Sequence, residues 1–352
     1  MSTLYIILAI LIFGVLVIVH ELGHFLTAKA CGVRVEEFSV GMGPAILQKE
    51  KGETLYSWRL IPFGGYCAMT GEDEDSDDPR AFNQQSAWKR ILILVAGAAM
   101  NFLFGFLIVL ILFSDAVAFR APVLTGFAEG CPYEGEQGLQ VGDRILSIDG
   151  QRIWQFSDVS DFLSEGDGVY DLAVRRNGKR VELKNFRLVP IEYPGESQKM
   201  YGFYFGYDEA TPLNKLRYAF NTVMEFTRWV RMGLKELVRG QVSMADMSGP
   251  VGIVDLMAET GETAASVSDA LFDIFYLGAF IAVNLALVNL LPIPGLDGGH
   301  VFTVLVTWVI ERITGKRLDP KYEGYIHAAG MILLLALMGV IMFNDILKII
   351  RK

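Results

Sequence analysis

The chain has 352 residues, of which 52% are hydrophobic, and its mean hydropathy is +0.36. This apolar surplus exceeds that of ordinary soluble proteins and predicts spans that cross a lipid bilayer. The formal net charge of −9 and the lack of a long basic run exclude nucleic acid as a partner. Cys31, Cys67 and Cys131 are widely separated, so they predict neither a disulfide framework nor a cysteine zinc cluster.

Four apolar stretches predict membrane-spanning helices, since a span needs about 20 such residues. The first, at residues 4–26, lacks a preceding basic stretch and a small-residue cleavage site, so we interpret it as a retained span rather than a signal peptide. Pro292 and Pro294 interrupt the third, which is typical of a helix that lines a polar cavity. The predicted segments are 1–30 (first span), 31–90 (loop), 91–115 (second span), 120–210 (soluble domain), 211–265 (amphipathic helix and connecting loop), 270–311 (broken third span) and 326–347 (fourth span).

The loop between the first two spans is predicted to contain β-structure. Residues 36–70 alternate apolar and polar positions between glycine-rich turns, which indicates short strands or a hairpin. The acidic run at residues 72–78 is interpreted as a solvated loop; a calcium loop is the alternative, although the EF-hand spacing is missing. Basic residues are frequent in this loop and absent before the first span, so the loop is expected to face the cytoplasm.

Residues 120–210 are predicted to form an independent β-rich domain. Asp149-Gly150 and Asn177-Gly178 are two-residue hairpin signals beside apolar runs. Because the second span separates this domain from the loop that is expected to face the cytoplasm, the domain is expected on the extracytoplasmic side. Residues 213–240 then combine six basic residues with apolar and aromatic ones. That composition favours a helix at the membrane surface over an ordinary solvated helix.

The end of the first span carries the pattern H-E-x-x-H, as His20-Glu21-Leu22-Gly23-His24. On a helix, this spacing places two imidazoles on one face with a glutamate beside them. Neutral imidazoles bind zinc, and Glu21 would take a proton from a water that the ion makes more acidic. Polar residues in an apolar helix are costly unless they pair, bind a metal or line a cavity. The pattern therefore predicts zinc ligands at His20 and His24 and a catalytic base at Glu21.

A catalytic zinc needs a third protein ligand and keeps one coordination position open. Asp297, in the interruption of the third span, is the candidate because an unpaired carboxylate there would be costly; a loop-capping role is the alternative. His300 is a rival ligand for which a supporting or helix-capping role is favoured, and His327 is expected at the membrane interface. Asn289 is predicted to bind the substrate backbone or the developing oxyanion, with helix packing as the alternative. Asn101 is assigned to helix packing, with a structural hydrogen bond to the neighbouring span as a further expectation.

Four motifs occur together in this chain: H-E-x-x-H at residues 20–24, Phe63-Gly64-Gly65-Tyr66, Ser248-Gly249-Pro250-Val251-Gly252-Ile253, and the stretch from Asn289 to Gly299. In this combination the chain resembles the site-2 protease family of intramembrane zinc metalloproteases, peptidase family M50, and is most similar to its bacterial regulator-of-sigma-E protease branch. Residues 139–150 look like part of a PDZ domain. The implied fold is a polytopic α-helical membrane protein with about four transmembrane helices, a membrane-associated β-hairpin region and an inserted β-rich PDZ domain.

The resemblance also implies a function. His20, His24 and Asp297 would bind Zn²⁺, Glu21 would be the catalytic base, and cleavage would occur toward the cytoplasmic face of the bacterial inner membrane. The β-hairpin region would pair with an unwound substrate. Substrates would be single-span membrane proteins already shortened by another protease, notably anti-sigma factors, and also remnant signal peptides.

One departure and two alternatives accompany this interpretation. The best-known members of the branch carry two PDZ domains, whereas residues 120–210 have room for one. A non-catalytic membrane adaptor is disfavoured by Glu21, because a purely structural zinc site has no use for a base. A metal-dependent transporter would have two related halves, and the sequence shows no internal repeat.

Overall fold

The computed structural model describes residues 2–72, 76–194, 198–241, 243, 247–315 and 320–351. The chain forms two compact units: a membrane unit from Met1–Leu112 and Phe226–Lys352, and an inserted unit from Phe113–Glu225. The helices are α1 (Ser2–Cys31), α2 (Ala87–Leu112), α3 (Phe156–Glu165), α4 (Pro212–Val238), α5 (Pro250–Thr263), α6 (Val267–Asn289), α7 (Asp297–Thr314) and α8 (Pro320–Arg351). The strands are β1 (Val35–Lys51), β2 (Thr54–Met69), β3 (Ala118–Phe127), β4 (Arg144–Ile148), β5 (Gln151–Arg152), β6 (Val169–Arg176), β7 (Lys179–Arg187) and β8 (Phe203–Glu209).

Four of the described helices are long and apolar enough to cross a membrane: Thr3–Cys31 in α1, Ala87–Leu112, Val267–Asn289 and Gly324–Arg351 in α8. The chain is therefore a multi-pass membrane protein, and the prediction of four spans is confirmed. A helix suits these stretches because it satisfies every interior backbone N–H and C=O without water. The predicted break in the third span lies between the end of α6 and the start of α7.

Helix α2 packs closely against both α1 and α6 through small residues. A Cβ atom on Gly23 of α1 would lie 2.4 Å from the carbonyl oxygen of Ala96 in α2. A Cβ atom on Gly105 of α2 would lie 3.0 Å from the carbonyl oxygen of Ala279 in α6. Small residues let membrane helices approach, since lipid and protein offer similar apolar surroundings and close packing must supply the attraction.

The motif at residues 248–253 begins α5 and joins it to the last span. The Oδ2 atom of Asp345 in α8 accepts the backbone N–H groups of Gly249 and Gly252, each at 2.9 Å. A Cβ atom on Gly252 would lie 2.8 Å from the other carboxylate oxygen, so the site requires glycine. A carboxylate at a helix N-terminus is favourable because it satisfies free N–H groups at the positive end of the helix dipole.

Strands β1 and β2 form an antiparallel hairpin, one of the two forms that the sequence indicated, and both strands are long and bent. Residues 35–40 of β1 pair with residues 65–69 of β2 on one side and with residues 55–58 on the other. The later part of β1 then pairs with the start of β2, so four segments lie side by side. In the acidic run that follows, residues 73–75 lie outside the described residues.

Helix α4 covers the predicted amphipathic segment. Leu213, Leu216 and Phe220 follow one another along it and are 74%, 47% and 52% exposed, respectively. Ala219 and Val223 are buried, so the helix has a packed face and an exposed apolar stripe. Its position at a membrane surface stays a prediction.

The inserted unit contains one sheet, in which the described strands follow the order β7-β6-β4-β3-β8, with β5 also paired to β4. Asn177-Gly178 turns β6 into β7 with φ angles of 50° and 78°, and Asp149-Gly150 turns β4 into β5 with φ angles of 48° and 77°. Both predicted hairpins are thus present, since these residue pairs adopt positive φ at low cost. Buried apolar side chains from the strands and α3 form one core. The assignment of this unit as a PDZ domain stays a prediction.

Candidate active site

The three residues of the H-E-x-x-H pattern that carry polar side chains lie near the end of α1. Helical spacing places His20 and His24 one turn apart, with their Nε2 atoms 3.1 Å from each other. Only 9% of His20 and 6% of His24 is exposed. Two buried imidazoles that converge through the same ring atom are arranged to share a bound cation rather than to face water.

Asp297, the first residue of α7, completes a triangle with these two imidazoles. Its Oδ2 atom lies 3.1 Å from His20 Nε2 and 3.4 Å from His24 Nε2. These are the only three His, Cys, Asp or Glu side chains among the described residues that could hold one ion together. His300, the rival ligand, is not part of this group.

The dimensions of the triangle fit zinc. Ligand atoms about 2.0–2.1 Å from a tetrahedral zinc ion lie about 3.3–3.4 Å from one another, close to the three separations of 3.1, 3.1 and 3.4 Å. The Oδ2 atom of Asp297 is also buried and receives no hydrogen bond from the described residues. An acceptor with that environment is costly by itself, and a cation at the centre of the triangle would remove the cost.

The segment between α6 and α7 brings Asp297 to the histidines. It turns back on itself at residues 290–296, so that the first turn of α7 packs directly against this segment. A Cβ atom on Gly298 would lie 2.3 Å from the carbonyl carbon of Leu290, and one on Gly299 would lie 2.2 Å from the carbonyl oxygen of Ile293. The two glycines that follow Asp297 are therefore required for this close approach.

His300 and His327 support this segment from its other side. Their rings stack in parallel, with centroids 3.6 Å apart. The Nδ1 atom of His327 accepts the backbone N–H of Gly295 at 3.3 Å, and its Nε2 atom lies 3.2 Å from Thr303 Oγ1. His327 is only 7% exposed, and its position at the membrane interface stays a prediction. The partners of His327 are Gly295, in the segment between α6 and α7, and Thr303 in α7.

Helix α2 shapes the opposite wall of the site. The Nδ1 atom of His24 donates to the backbone carbonyl of Ile93 at 2.9 Å, which leaves Nε2 free to bind a metal. One turn later, a Cβ atom on Gly97 would lie 2.3 Å from His24 Nε2 and 2.8 Å from His20 Cε1. Only glycine leaves room for both imidazoles at this position.

Glu21 lines a cavity of about 250 Å³ together with His20 and Asp297. The backbone N–H of Cys67 in β2 donates to its carboxylate. Gly65 is close as well, since a Cβ atom there would lie 3.5 Å from Glu21 Cγ. The edge of the sheet at residues 65–69 thus passes beside the glutamate.

Asn289 and Asn101 also line the cavity. The amide nitrogen of Asn289 lies 3.4 Å from His20 Nε2, which places the residue where the sequence predicted it, at the site. Sequence reasoning missed part of the contribution of α2, since Ile93 and Gly97 had no assigned role. Asn101 was assigned to packing and to a structural hydrogen bond with a neighbouring span, and its amide lies 3.4 Å from His20 Nδ1 in α1. The four-residue spacing of Gly97 and Asn101, which places them on one face of a helix, was the one sequence feature that could have indicated this contribution.

The chain is similar in sequence to known zinc metalloproteases. The model of peptidase family M50 matches residues 8–337. A relative from Clostridium acetobutylicum, whose name classes it with the zinc metalloproteases, is 36% identical over 350 residues, which cover 98% of each chain. The regulator of sigma-W protease RasP of Bacillus subtilis is 28% identical over 425 residues and 97% of each chain. The zinc metalloprotease RasP of Geobacillus kaustophilus is 28% identical over 433 residues, which cover 96% of this chain and 97% of its own.

Proposed function

The chain belongs to peptidase family M50 and is a zinc metalloprotease, and from this premise we propose that it cleaves single-span membrane proteins within or beside the bilayer. His20, His24 and Asp297 hold the zinc ion, and Glu21 is the general base. The observation that carries the proposal is the triangle of three buried ligand atoms, 3.1, 3.1 and 3.4 Å apart, with Glu21 on the same helix as two of them.

Each residue of the site has a separate task in hydrolysis. When bound, zinc supplies Lewis-acid activation of water at neutral pH. Glu21 takes a proton from the attacking water and passes it to the nitrogen of the leaving amine. Asn289 lies on the cavity wall, where its amide can donate to the carbonyl oxygen as negative charge develops on it.

The sheet beside Glu21 presents the substrate in an extended form. Peptide carbonyls in a helix are already hydrogen-bonded and shielded, so a transmembrane substrate must unwind before it is attacked. The edge at residues 65–69 offers backbone groups for pairing with an unwound strand next to the catalytic base. Leu47, Trp58 and Leu60 are 69%, 60% and 61% exposed on the same sheet, which supports its contact with lipid.

The substrates are proteins that another protease has already shortened, with anti-sigma factors as the first class to test and remnant signal peptides as the second. The relative named as a regulator of sigma-W protease supports this choice. The inserted unit, acting as a PDZ domain on the extracytoplasmic side, excludes uncut substrates by size or binds the new C-terminus. The site then lies toward the cytoplasmic side of the bacterial inner membrane, as the basic residues of the 31–90 loop favour.

The test is cleavage of a detergent-solubilised single-span substrate by the unmodified protein and by Glu21→Gln, with zinc content measured for both. We expect zinc in both proteins and cleavage only by the unmodified one. Glu182→Gln is the matched control, because this glutamate is exposed in β7 of the inserted unit. Wild-type cleavage by Glu21→Gln would contradict the assigned base.

A second arm tests the substrate class. The same transmembrane segment is offered with a folded extracytoplasmic domain and with only a short extracytoplasmic tail. We expect the shortened substrate to be cleaved faster in the full chain. Equal rates would contradict the requirement for prior shortening while leaving the zinc site in place.

A further inference from the structure

The inference concerns what holds His20 in position, and it rests on the proposed role of His20 as a zinc ligand. A histidine that binds a metal through Nε2 carries its proton on Nδ1, and that N–H needs an acceptor that fixes the ring. His24 has such an acceptor, the carbonyl oxygen of Ile93, at 2.9 Å. At Nδ1 of His20, the described residues place the side-chain amide of Asn101 at 3.4 Å.

The environment of Asn101 indicates that its amide oxygen is the atom that should face His20. The residue is 1% exposed, in the middle of α2. Its Nδ2 atom points at the imidazole, while its Oδ1 atom is buried and has no hydrogen-bond partner among the described residues. An unsatisfied buried acceptor of this kind destabilises the folded protein.

A rotation of the amide by 180° about its Cβ–Cγ bond exchanges Oδ1 and Nδ2. It gives the buried oxygen a donor and the Nδ1–H of His20 an acceptor. The oxygen then accepts the Nδ1–H of His20, which leaves the Nε2 atom of that ring unprotonated for the metal. The opposite arrangement, in which Nδ2 donates to Nδ1, puts the proton on Nε2 and blocks metal binding. Binding of a zinc ion through Nε2 of His20 would therefore require the rotated amide.

The three contributions of α2 lie on one face. Ile93, Gly97 and Asn101 are four residues apart, so they form a single stripe along the helix. Ile93 supplies the acceptor for His24, Gly97 leaves room for both rings, and the Asn101 amide lies at Nδ1 of His20.

We propose that Asn101 is a positioning residue: its Oδ1 atom accepts the Nδ1–H of His20 and holds that ring with Nε2 toward the zinc ion. Asn101 acts through His20 and does not itself bind the metal. Because it also lines the cavity, contact with the substrate is the competing role, and metal affinity separates the two.

The experiment measures zinc affinity of the full chain in detergent by competition with a chelator, alongside kcat and KM. Asn101→Leu removes the acceptor at nearly constant volume, and Asn101→Asp retains an oxygen at the same position. We expect Asn101→Leu to weaken zinc binding 10–100-fold, as loss of such partners typically does, and Asn101→Asp to stay within about threefold of the unmodified protein. The matched control is Asn221→Leu, at another buried asparagine, in the inserted unit, and it should leave zinc affinity unchanged.

A spectroscopic measurement supplies a readout that does not depend on cleavage. With Co²⁺ in place of zinc, Asn101→Leu should change the visible absorption of the ion, because the His20 ring is no longer held. Asn101→Asp should restore the spectrum. If the leucine variant does not fold, Asn101→Ala, which removes the acceptor without adding volume, takes its place with the same expectation.

Three outcomes would overturn the proposal. Unchanged zinc affinity in Asn101→Leu, with or without loss of cleavage, would show that the amide does not hold His20. Equal weakening by leucine and aspartate would show that an acceptor is not what matters. Zinc retention by His20→Ala would contradict the proposed ligand set itself. Loss of zinc in His20→Ala, together with normal zinc affinity in Asn101→Leu, would overturn only the role proposed for Asn101.

Discussion

Asp143 in the inserted unit and Asp297 in the membrane unit are carboxylates with different hydrogen-bond partners. In the inserted unit, Asp143 is fully buried, and both its oxygens accept hydrogen bonds from the guanidinium of Arg176, at 2.8 and 2.6 Å. In the membrane unit, the nearest polar partners of Asp297 are two imidazoles, and its buried Oδ2 atom receives no hydrogen bond from the described residues.

The difference separates a structural pair from a ligand site. A carboxylate that meets a guanidinium in two hydrogen bonds has its charge and its lone pairs satisfied. Imidazoles that bind a metal are neutral and so do not balance the charge of a carboxylate between them, whereas a cation at their centre does. We therefore expect removal of Asp297 to affect metal and activity, and removal of Asp143 to affect folding.

The largest expected effect is that of Asp297→Ala. With one of the three proposed protein ligands gone, zinc should be lost and cleavage should fall more than about a thousandfold. The apo protein should fold as well as the unmodified apo protein, because the substitution removes a buried acceptor that lacked a donor. Zinc content, cleavage and thermal unfolding of the metal-free proteins check this together. An Asp297→Ala variant that unfolds more easily but keeps its zinc would show that Asp297 stabilises the fold rather than the metal.

Asp143→Ala should give the opposite result. It leaves Arg176 without its partner in a partly buried site, and breaking such a pair costs about 3–5 kcal/mol. Hydrogen exchange of the full chain should rise in β4 and β6, while zinc content is retained. The control is Glu182→Ala, which removes an ion pair whose partners are 62% and 53% exposed and should cost less than about 1 kcal/mol. Loss of zinc in Asp143→Ala without faster exchange would contradict this prediction.

Gly97→Ala tests whether the walls of the zinc site are as tight as its ligands suggest. The new methyl group would collide with both imidazoles, so we expect zinc affinity to fall about 10–100-fold, with α1 and α2 still helical. Gly233→Ala in α4 is the matched control, since a Cβ atom there meets no atom within 4 Å and alanine favours the helix. Normal zinc affinity in Gly97→Ala would mean that the two helices can separate at little cost.

Features that depend on local sequence could be predicted. The spans follow from uninterrupted apolar runs, the inserted hairpins follow from Asn177-Gly178 and Asp149-Gly150, and the zinc candidates on α1 follow from helical spacing. These patterns need no knowledge of other segments, because the physical constraint lies within a few consecutive residues.

Features that depend on contact between distant segments could not be predicted. Gly97 is constrained by imidazoles more than 70 residues earlier in the chain, and no local pattern records that contact. His327 is buried against His300, and no pattern near the start of the last span predicts that contact. The long bent strands β1 and β2 likewise arise from pairing that short alternating runs do not specify.

The smallest expected effect is a pH dependence confined to the inserted unit, at Asp208 in β8. Hydrogen bonds from the Arg144 guanidinium, and from Tyr218, outweigh partial burial and lower the pKa of this carboxyl to about 2. A lowered folded-state pKa contributes stability that is fully present above the unfolded value of about 3.9 and is lost as the pH falls through the folded value. After allowance for solvent screening, the contribution is about 1 kcal/mol. Hydrogen exchange in β8 should therefore accelerate between about pH 4 and pH 2, and Asp208→Asn should remove most of that dependence; an unchanged dependence would assign it to other carboxylates.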